Sequence, residues 1–343
     1  FILWLDHWTS DWRVRLLSDR LAGQHPRIAI VTVTEDTLAA FPYRSPVDRA
    51  YLAKLVERLD AAGAQTIGLD FLFIRPTEPA KDAALAAAIK QAKAPVVIAA
   101  ADRRSAIAPR ETNFQNQFIG RSGARSGYAN LLTGNDRIVR YVAASDDPRF
   151  PKSFAVAMAP DGVAMAANGP RRIAWLLRPK SGDDRFLTLP AHLLVPPAGQ
   201  PASPASAALM ALLRGRIVLI GASLADLDRH RTPFGDLSSD DEMPGVLIQA
   251  QVAAQLLDGR DIQRVGRVSF LAILAVLALA GTAVGLKFGF VGYTVYGGLL
   301  TGAIIAGDAL LFLMTRQFVP FTAALLALLF GLAGGVVLRR LPR

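Results

Sequence analysis

Residues 268–286 read VSFLAILAVLALAGTAVGL, residues 288–314 read FGFVGYTVYGGLLTGAIIAGDALLFLM, and residues 318–338 read FVPFTAALLALLFGLAGGVVL. Each run is almost free of charge and, as a helix, long enough to cross a hydrocarbon layer about 30 Å thick. A helix of a soluble domain buries one apolar stripe, whereas these are apolar all round, three times in succession. Lys287 alone separates the first two, and Thr315-Arg316-Gln317 the second from the third. Breaks so short leave neighbouring helices antiparallel. The expected spans are 268–286, 288–313 and 318–338.

Lys and Arg near span ends stay on the cytoplasmic side. Arg339, Arg340 and Arg343 crowd the tail 339–343, while the loop one crossing earlier holds only Arg316. The C-terminus is therefore expected inside, and three crossings back place everything before Val268 outside. The chain opens FILWLDHW, which reads as the last turns of a further membrane helix. Trp4, Trp8 and Trp12 suit an interface belt. An amphipathic helix lying on the surface is the other reading and leaves the side unchanged. Residues 1–20 are thus a helix end and lead-out, and 21–262 a large polar-side domain.

The chain has 38 basic and 28 acidic residues, a net charge of +10. Mixed along the chain and lacking interleaved aromatics, this excess does not point to nucleic acid. There is no cysteine, which removes disulfides, thiolate chemistry and Cys-based metal sites together. His7, His25, His192 and His230 are scattered, none at metal spacing to another. No phosphate loop, HExxH or GxSxG occurs, and the glycine-rich GRSGARSG (120–127) lacks dinucleotide spacing. The chain is expected to be no enzyme and to hold no metal or cofactor.

Taken in order, IAIVTV (28–33) is a strand buried on both faces, followed at once by Glu35 and Asp36. SPVDRAYLAKLVERLDAAG (45–63) has helical spacing and stops at Gly63, and AQTIGLDFLF (64–73) is a second buried strand. Strand, helix, strand at this spacing is a βαβ unit with a right-handed crossover. KDAALAAAIKQAKA (81–94) is a helix and PVVIAA (95–100) a third strand. The fold class is α/β with a largely parallel sheet, joined to an α-helical membrane region.

The stretch APRETNFQNQFIGRSGARSG (108–127) reads as a long loop, and GYANLLTGNDRIVRYVAAS (127–145) as a hairpin turning at Thr133 to Asp136. PKSFAVAMA (151–159) begins a helix, Ile173 to Leu177 is a short strand candidate, and HLLVPPAGQPASPASAALM (192–210) is a flexible connection ending in a short helix. IVLIGAS (217–223) is a buried strand, the polar loop 226–246 follows, and VLIQAQVAAQLLDG (246–259) is an apolar-faced helix.

In an open parallel sheet, ligands lie beyond the carboxyl ends of the strands. Glu35 and Asp36 follow the first strand, Asp70 ends the second, and Ser223, Asp226 and Asp228 follow the late one. If these strands are neighbours, acidic groups converge there with Arg44 and Arg49 nearby, a setting for a cation or a polar small molecule. The structural alternative has Asp36 and Asp226 as caps and Asp70 paired with a local Arg. Asp308, inside a membrane run, is a functional candidate by position; its other reading is hydration at the interface or pairing with Arg316. Gly281 and Gly285, Gly298 and Gly302, and Gly331 and Gly335 are spaced four apart, which lets helices approach closely. They serve packing within the helix unit, or association with a second copy or another membrane subunit.

The succession IAIVTVTEDTL, SPVDRAYLAKLVERLDAAGAQTIGLDFLF, GYANLLTGNDRIVR, PKSFAVAMA, LRGRIVLIGAS, TPF and MPGVLIQAQVAAQLLDGR resembles the CHASE2 extracellular sensory domain. DWRVRL (11–16) is similar to the family's entry segment, and three membrane helices after the domain are typical of its members. Phe41-Pro42-Tyr43 stands where the family has a Trp-Pro pair, and Ile173 to Val195 lacks its middle-strand pattern. The resemblance implies a multi-pass protein of the bacterial inner membrane, with a periplasmic domain that binds an unidentified ligand. It also implies a cytoplasmic effector: a nucleotide cyclase, a diguanylate cyclase, a histidine kinase or a serine/threonine kinase. None of these lies before Arg343, so the alternative expectation is an effector-less accessory subunit of a larger membrane complex.

Overall fold

The structure, a computed structural model, describes residues 2–145, 147–161, 170–197, 199–201, 203–234 and 242–341, with side chains of the first helix from Leu5 onward. The side chain of Trp4, the tail residue Arg343 and residues 235–241 of the polar loop lie outside the described residues. The chain forms two compact units. One is Asp19–Arg260; the other joins helix α1 (Ile2–Leu17) to the segment from Asp261 onward.

The first unit is built on β1 (Ile28–Val33), β2 (Thr66–Asp70), β3 (Val96–Ala100), β4 (Arg125–Tyr128), β5 (Leu187–Pro190) and β6 (Ile217–Ala222). They lie in the order β5-β1-β6-β2-β3-β4, and every pairing is parallel. β1 is buried along its whole length, as a sheet covered on both faces requires. Helices α2 (Arg49–Ala61), α3 (Pro79–Gln91) and α4 (Pro109–Ser122) follow β1, β2 and β3. They pack Leu52, Leu59, Leu85 and Phe118 into the core that holds Val31, Ile67 and Ile220. Helix α5 (Gly245–Leu257) and the short helix Phe154–Met158 cover the opposite face. Gly221 of β6 admits α5, because a Cβ there would strike the Val246 side chain.

Two stretches differ from expectation. The expected loop 108–127 is helix α4 followed by β4. Pro109 opens the helix, Glu111 accepts from the Ala108 N–H at 2.9 Å, and Gly123 closes it at φ 65°. Phe114 and Phe118 stack one turn apart, and buried Gln115 bonds both the N–H and the carbonyl of Ala101 at 2.9 Å. Its polar composition hides a buried face. In the middle, Arg171–Arg172 and Leu176–Leu177 are the only ladder residues of the segment from 171 to 177 among the described residues. Side chains of α5 supply the missing pairing. Gln251 accepts from the Leu176 N–H and donates to its carbonyl, and Gln255 does the same for Ala174 N–H and the Arg172 carbonyl. The expected hairpin is present, with Leu131–Thr133 antiparallel to Val139–Val142.

The second unit contains α6 (Arg267–Lys287), α7 (Phe290–Thr315) and α8 (Phe321–Arg340), with mean hydropathies of 2.3, 1.8 and 2.3. All three are long and apolar enough to cross a membrane. Helices α6 and α8 touch backbone to backbone. A Cβ on Gly281 or Gly285 would collide with the Leu328 or Leu332 carbonyl, and one on Gly331 or Gly335 with the Ala278 or Thr282 carbonyl. Gly298 and Gly302 of α7 differ: nothing lies within 4 Å of a Cβ built at either. The Gln263–Arg264 segment ahead of α6 pairs in parallel with Gln317–Phe318, and Arg316 Nη1 donates to the Leu17 carbonyl at 3.5 Å. The last turn of α1, the start of α6, the end of α7 and the start of α8 therefore gather at one end of the bundle.

Replacing Gly331 by Leu should force α6 and α8 apart and cost more than about 2 kcal/mol, while Gly298→Leu leaves stability unchanged. Heating each detergent-solubilised variant and following its monodisperse size-exclusion peak checks this. Equal losses from both substitutions would contradict the packing described.

Candidate functional site

The loop after β2 leads to α3 on one face of the sheet, and the chain after β6 leads to α5 on the other. Neighbouring strands whose connections leave to opposite faces open a crevice at their carboxyl ends. A cavity of about 400 Å³ lies there, at the ends of β6, β2, β3 and β4. Its walls are mostly apolar, with Phe71, Leu72, Ala101 and Leu131 among them, and its polar groups are Asp70, Ser105, Asn130, Thr133, Asp228, His230 and Gln249.

Asp70 is the last residue of β2, and among the described residues no hydrogen-bond donor reaches its carboxylate. Burial, and then the charge of Asp228, push its carboxyl up to about 8. Asp228 stands at φ 53°, a left-handed conformation that Asp tolerates. Its carbonyl accepts from the Gly245 N–H at 3.0 Å, and its carboxylate lies 2.9 Å from His230 Nε2. A Cβ at Gly245 would collide with that carboxylate, so the first residue of α5 shapes the pocket wall.

The structure places the expected residues in separate groups, because β6 lies between β1 and β2. Asp70 and Asp228 share the cavity. Glu35, Arg44 and Asp226 form a separate exposed cluster across the ends of β1 and β6. There Arg44 binds Glu35 and both oxygens of Asp226, at 3.0 and 3.3 Å. These bonds, to Asp226 and then Glu35, raise the Arg44 guanidinium above its ordinary range, and the Arg44 bond lowers the Asp226 carboxyl. Asp36 is exposed and joins neither group; Thr34, not Asp36, caps the turn Glu35–Leu38. Ser223 donates its N–H to the Val33 carbonyl at 2.9 Å and extends the ladder. Arg49 belongs elsewhere. Its side chain is 3% exposed, 4.2 Å from the Phe73 ring centre and 3.5 Å from Asp82, and burial pushes the guanidinium down to about 10 against the pull of Asp82. Nor, among the described residues, does Asp70 pair with an Arg. Ser105, Asn130, His230 and Gln249 went unread because they reach the crevice from loops, from the short strand Arg229–Arg231 and from α5. The first two could have been found, since each stands shortly beyond the carboxyl end of a strand.

In the second unit Asp308 pairs with Arg13, and among the described residues not with Arg316. Its Oδ2 accepts from Arg13 Nε at 2.9 Å and also from Nη2, and its Oδ1 accepts from the Val319 N–H at 2.9 Å. Only 7% of the Arg13 side chain and 13% of that of Asp308 is exposed. Arg13 lies 5.1 Å from the Phe318 ring centre and 5.8 Å from that of Phe312. One carboxylate thus ties α1 to α7 and to the turn before α8.

Substituting Asp70 by Asn should stabilise the protein in a pH-dependent way. The folded carboxyl titrates near 8 and the unfolded one near 4. The native chain therefore loses stability relative to the variant as pH rises between those values, and the difference levels off above them. Melting temperatures of both proteins from pH 4 to 9 read this directly; a difference constant with pH would contradict it.

The family model that matches is described as CHASE2 domain, and it covers residues 1–285. No curated protein and no solved structure matches. CHASE2 is a family of extracellular sensory domains and not a catalytic one. The match takes in α1, the whole parallel-sheet unit and nearly all of α6, after which α7 and α8 complete the three spanning-length helices. The chain belongs to the CHASE2 domain family.

Proposed function

We propose that this protein is a membrane-anchored sensor of the bacterial inner membrane. Its periplasmic domain binds a small ligand in the Asp70 crevice and passes the change through the membrane helices to a cytoplasmic effector, a nucleotide cyclase or a kinase. The observation that carries this reading is the open cavity at a switch point of the sheet, in a chain of a sensory-domain family whose domain is followed by three spanning-length helices. The arginines at 339 and 340 support a cytoplasmic C-terminus.

The Arg13–Asp308 pair supports the transmission step. Helix α1 precedes the domain in the chain and α7 follows it, so a shift at either end of the domain acts on helices already bonded to one another. A ligand moves such a system only by binding one arrangement better than the other. The open Gly298/Gly302 face of α7 favours a second reading, in which the helices dock against another copy or another membrane subunit and the protein is an accessory component.

The side assignment is tested first. The chain has no cysteine, so single replacements report without background. In intact spheroplasts a membrane-impermeant maleimide should label Ser181→Cys, on the exposed surface of the domain. It should label Leu341→Cys, just past α8, only after permeabilisation. The opposite pattern would sink the sensor reading.

A further inference from the structure

We infer that the Asp70 crevice takes a small organic cation, with an apolar body seated on its alanine, leucine and phenylalanine walls and a primary ammonium group against Asp70. The inference rests on the crevice being the ligand site, as proposed above.

Three features of the cavity point to this chemistry. Its charge comes first. Asp70 and Asp228 are both acids, and the remaining titratable lining residue, His230, is already engaged with Asp228 at 2.9 Å. An anionic ligand would meet two acidic side chains and no lysine or arginine among the lining residues.

Hydrogen-bond supply is second. The amide donors that line the cavity are used within the protein: Asn130 Nδ2 donates to Ser105 Oγ at 2.8 Å, and Gln249 Nε2 to the Ala129 carbonyl at 3.0 Å. Acceptors are left over. The Asp70 carboxylate has no donor among the described residues, and the Gln249 amide oxygen belongs to the same lining. A ligand that satisfies such a wall must bring donors and positive charge, and an ammonium is three donors with no acceptor. Without a ligand the raised Asp70 carboxyl favours its acid form; an ammonium set against it favours the carboxylate instead, so binding draws off that proton and leaves a charge-assisted contact.

The walls are third. A bare metal ion does not fit, since among the described residues no three His, Asp or Glu side chains are grouped closely enough to hold one. A hydrated ion would leave Phe71, Leu72, Ala101, Ala129 and Leu131 facing water to no benefit. A volume of about 400 Å³ with apolar walls and a few polar groups has the make-up of an organic small-molecule site.

The test compares three probes of similar shape on the full chain in detergent: phenethylammonium, 3-phenylpropan-1-ol and 3-phenylpropionate, titrated by calorimetry at neutral pH. The ammonium should bind at least about tenfold more tightly than the alcohol, a difference typical of one charge-assisted contact, and the carboxylate most weakly. Asp70→Asn should abolish the preference for the ammonium. Asp226→Asn, in the exposed cluster outside the cavity, should keep it, and the same pair of variants separates site binding from partition into micelles. Equal binding of alcohol and ammonium, a preference for the carboxylate, no binding by any probe at millimolar concentration, or a preference surviving in Asp70→Asn would each overturn the inference. These outcomes do not depend on sidedness, so a reversed maleimide pattern would end the sensor reading while leaving the calorimetry to decide the ligand class.

Discussion

A sheet in which every strand runs the same way must return the chain through a crossover after each strand, and it must be covered on both faces. That constraint organises the larger unit. It places α2, α3 and α4 on one face, demands α5 on the other, and sets all carboxyl ends along one edge. Because β6 enters last, between β1 and β2, its onward connection leaves to the opposite side from theirs. Two crevices result. Arg44 bridges the one between β1 and β6 through Glu35 and Asp226, while the one between β6 and β2 remains a cavity with Asp70 in its lining. The ion pairs of the first crevice are exposed and contribute little to stability. An unpaired carboxyl in the second is costly when ionised and is held largely as the acid near neutral pH.

The helix unit obeys a different constraint. A charge among apolar helices is tolerated only when paired and hydrogen-bonded. Arg13 and Asp308 meet that condition together, with the Val319 N–H on the second carboxylate oxygen and aromatic rings of Phe312 and Phe318 beside the guanidinium. The pair fixes the register of α1 on α7. Glycine contacts fix α6 on α8 by packing alone. The bundle therefore combines one seam held by close backbone approach with one held by charge, and the second joins the helix ahead of the domain to the helices behind it.

Where residues announce their environment, the chain was readable. IAIVTV, TIGLD and IVLIGA are apolar on both faces and became β1, β2 and β6, and the three apolar runs became α6, α7 and α8. Helix α4 was hidden because its buried face carries Glu111 and Gln115, polar residues that find partners in Arg75 and Ala101 outside the helix. The segment from 171 to 177 was hidden for a related reason, since its backbone is satisfied by Gln251 and Gln255, side chains some 75 to 83 positions away. Of the site, the acids at strand ends were legible one by one. Their division into two groups was not, because strand order is a tertiary property. Arg49 was misplaced by the same limit: only the fold brings Phe73 and Asp82 around it. Nothing local to Asp308 signals Arg13, which lies 295 positions earlier.

The central claim is that occupancy of the crevice and the arrangement of the membrane helices are one equilibrium. Spin labels at Leu16→Cys on α1 and Leu338→Cys on α8, in lipid nanodiscs, measure that arrangement directly by electron–electron resonance. Ala129→Phe, which fills the crevice from its β4 side, should redistribute the populations of the label-to-label distance, and adding Arg13→Gln should abolish the redistribution. An unchanged distance distribution with the crevice filled would contradict the account.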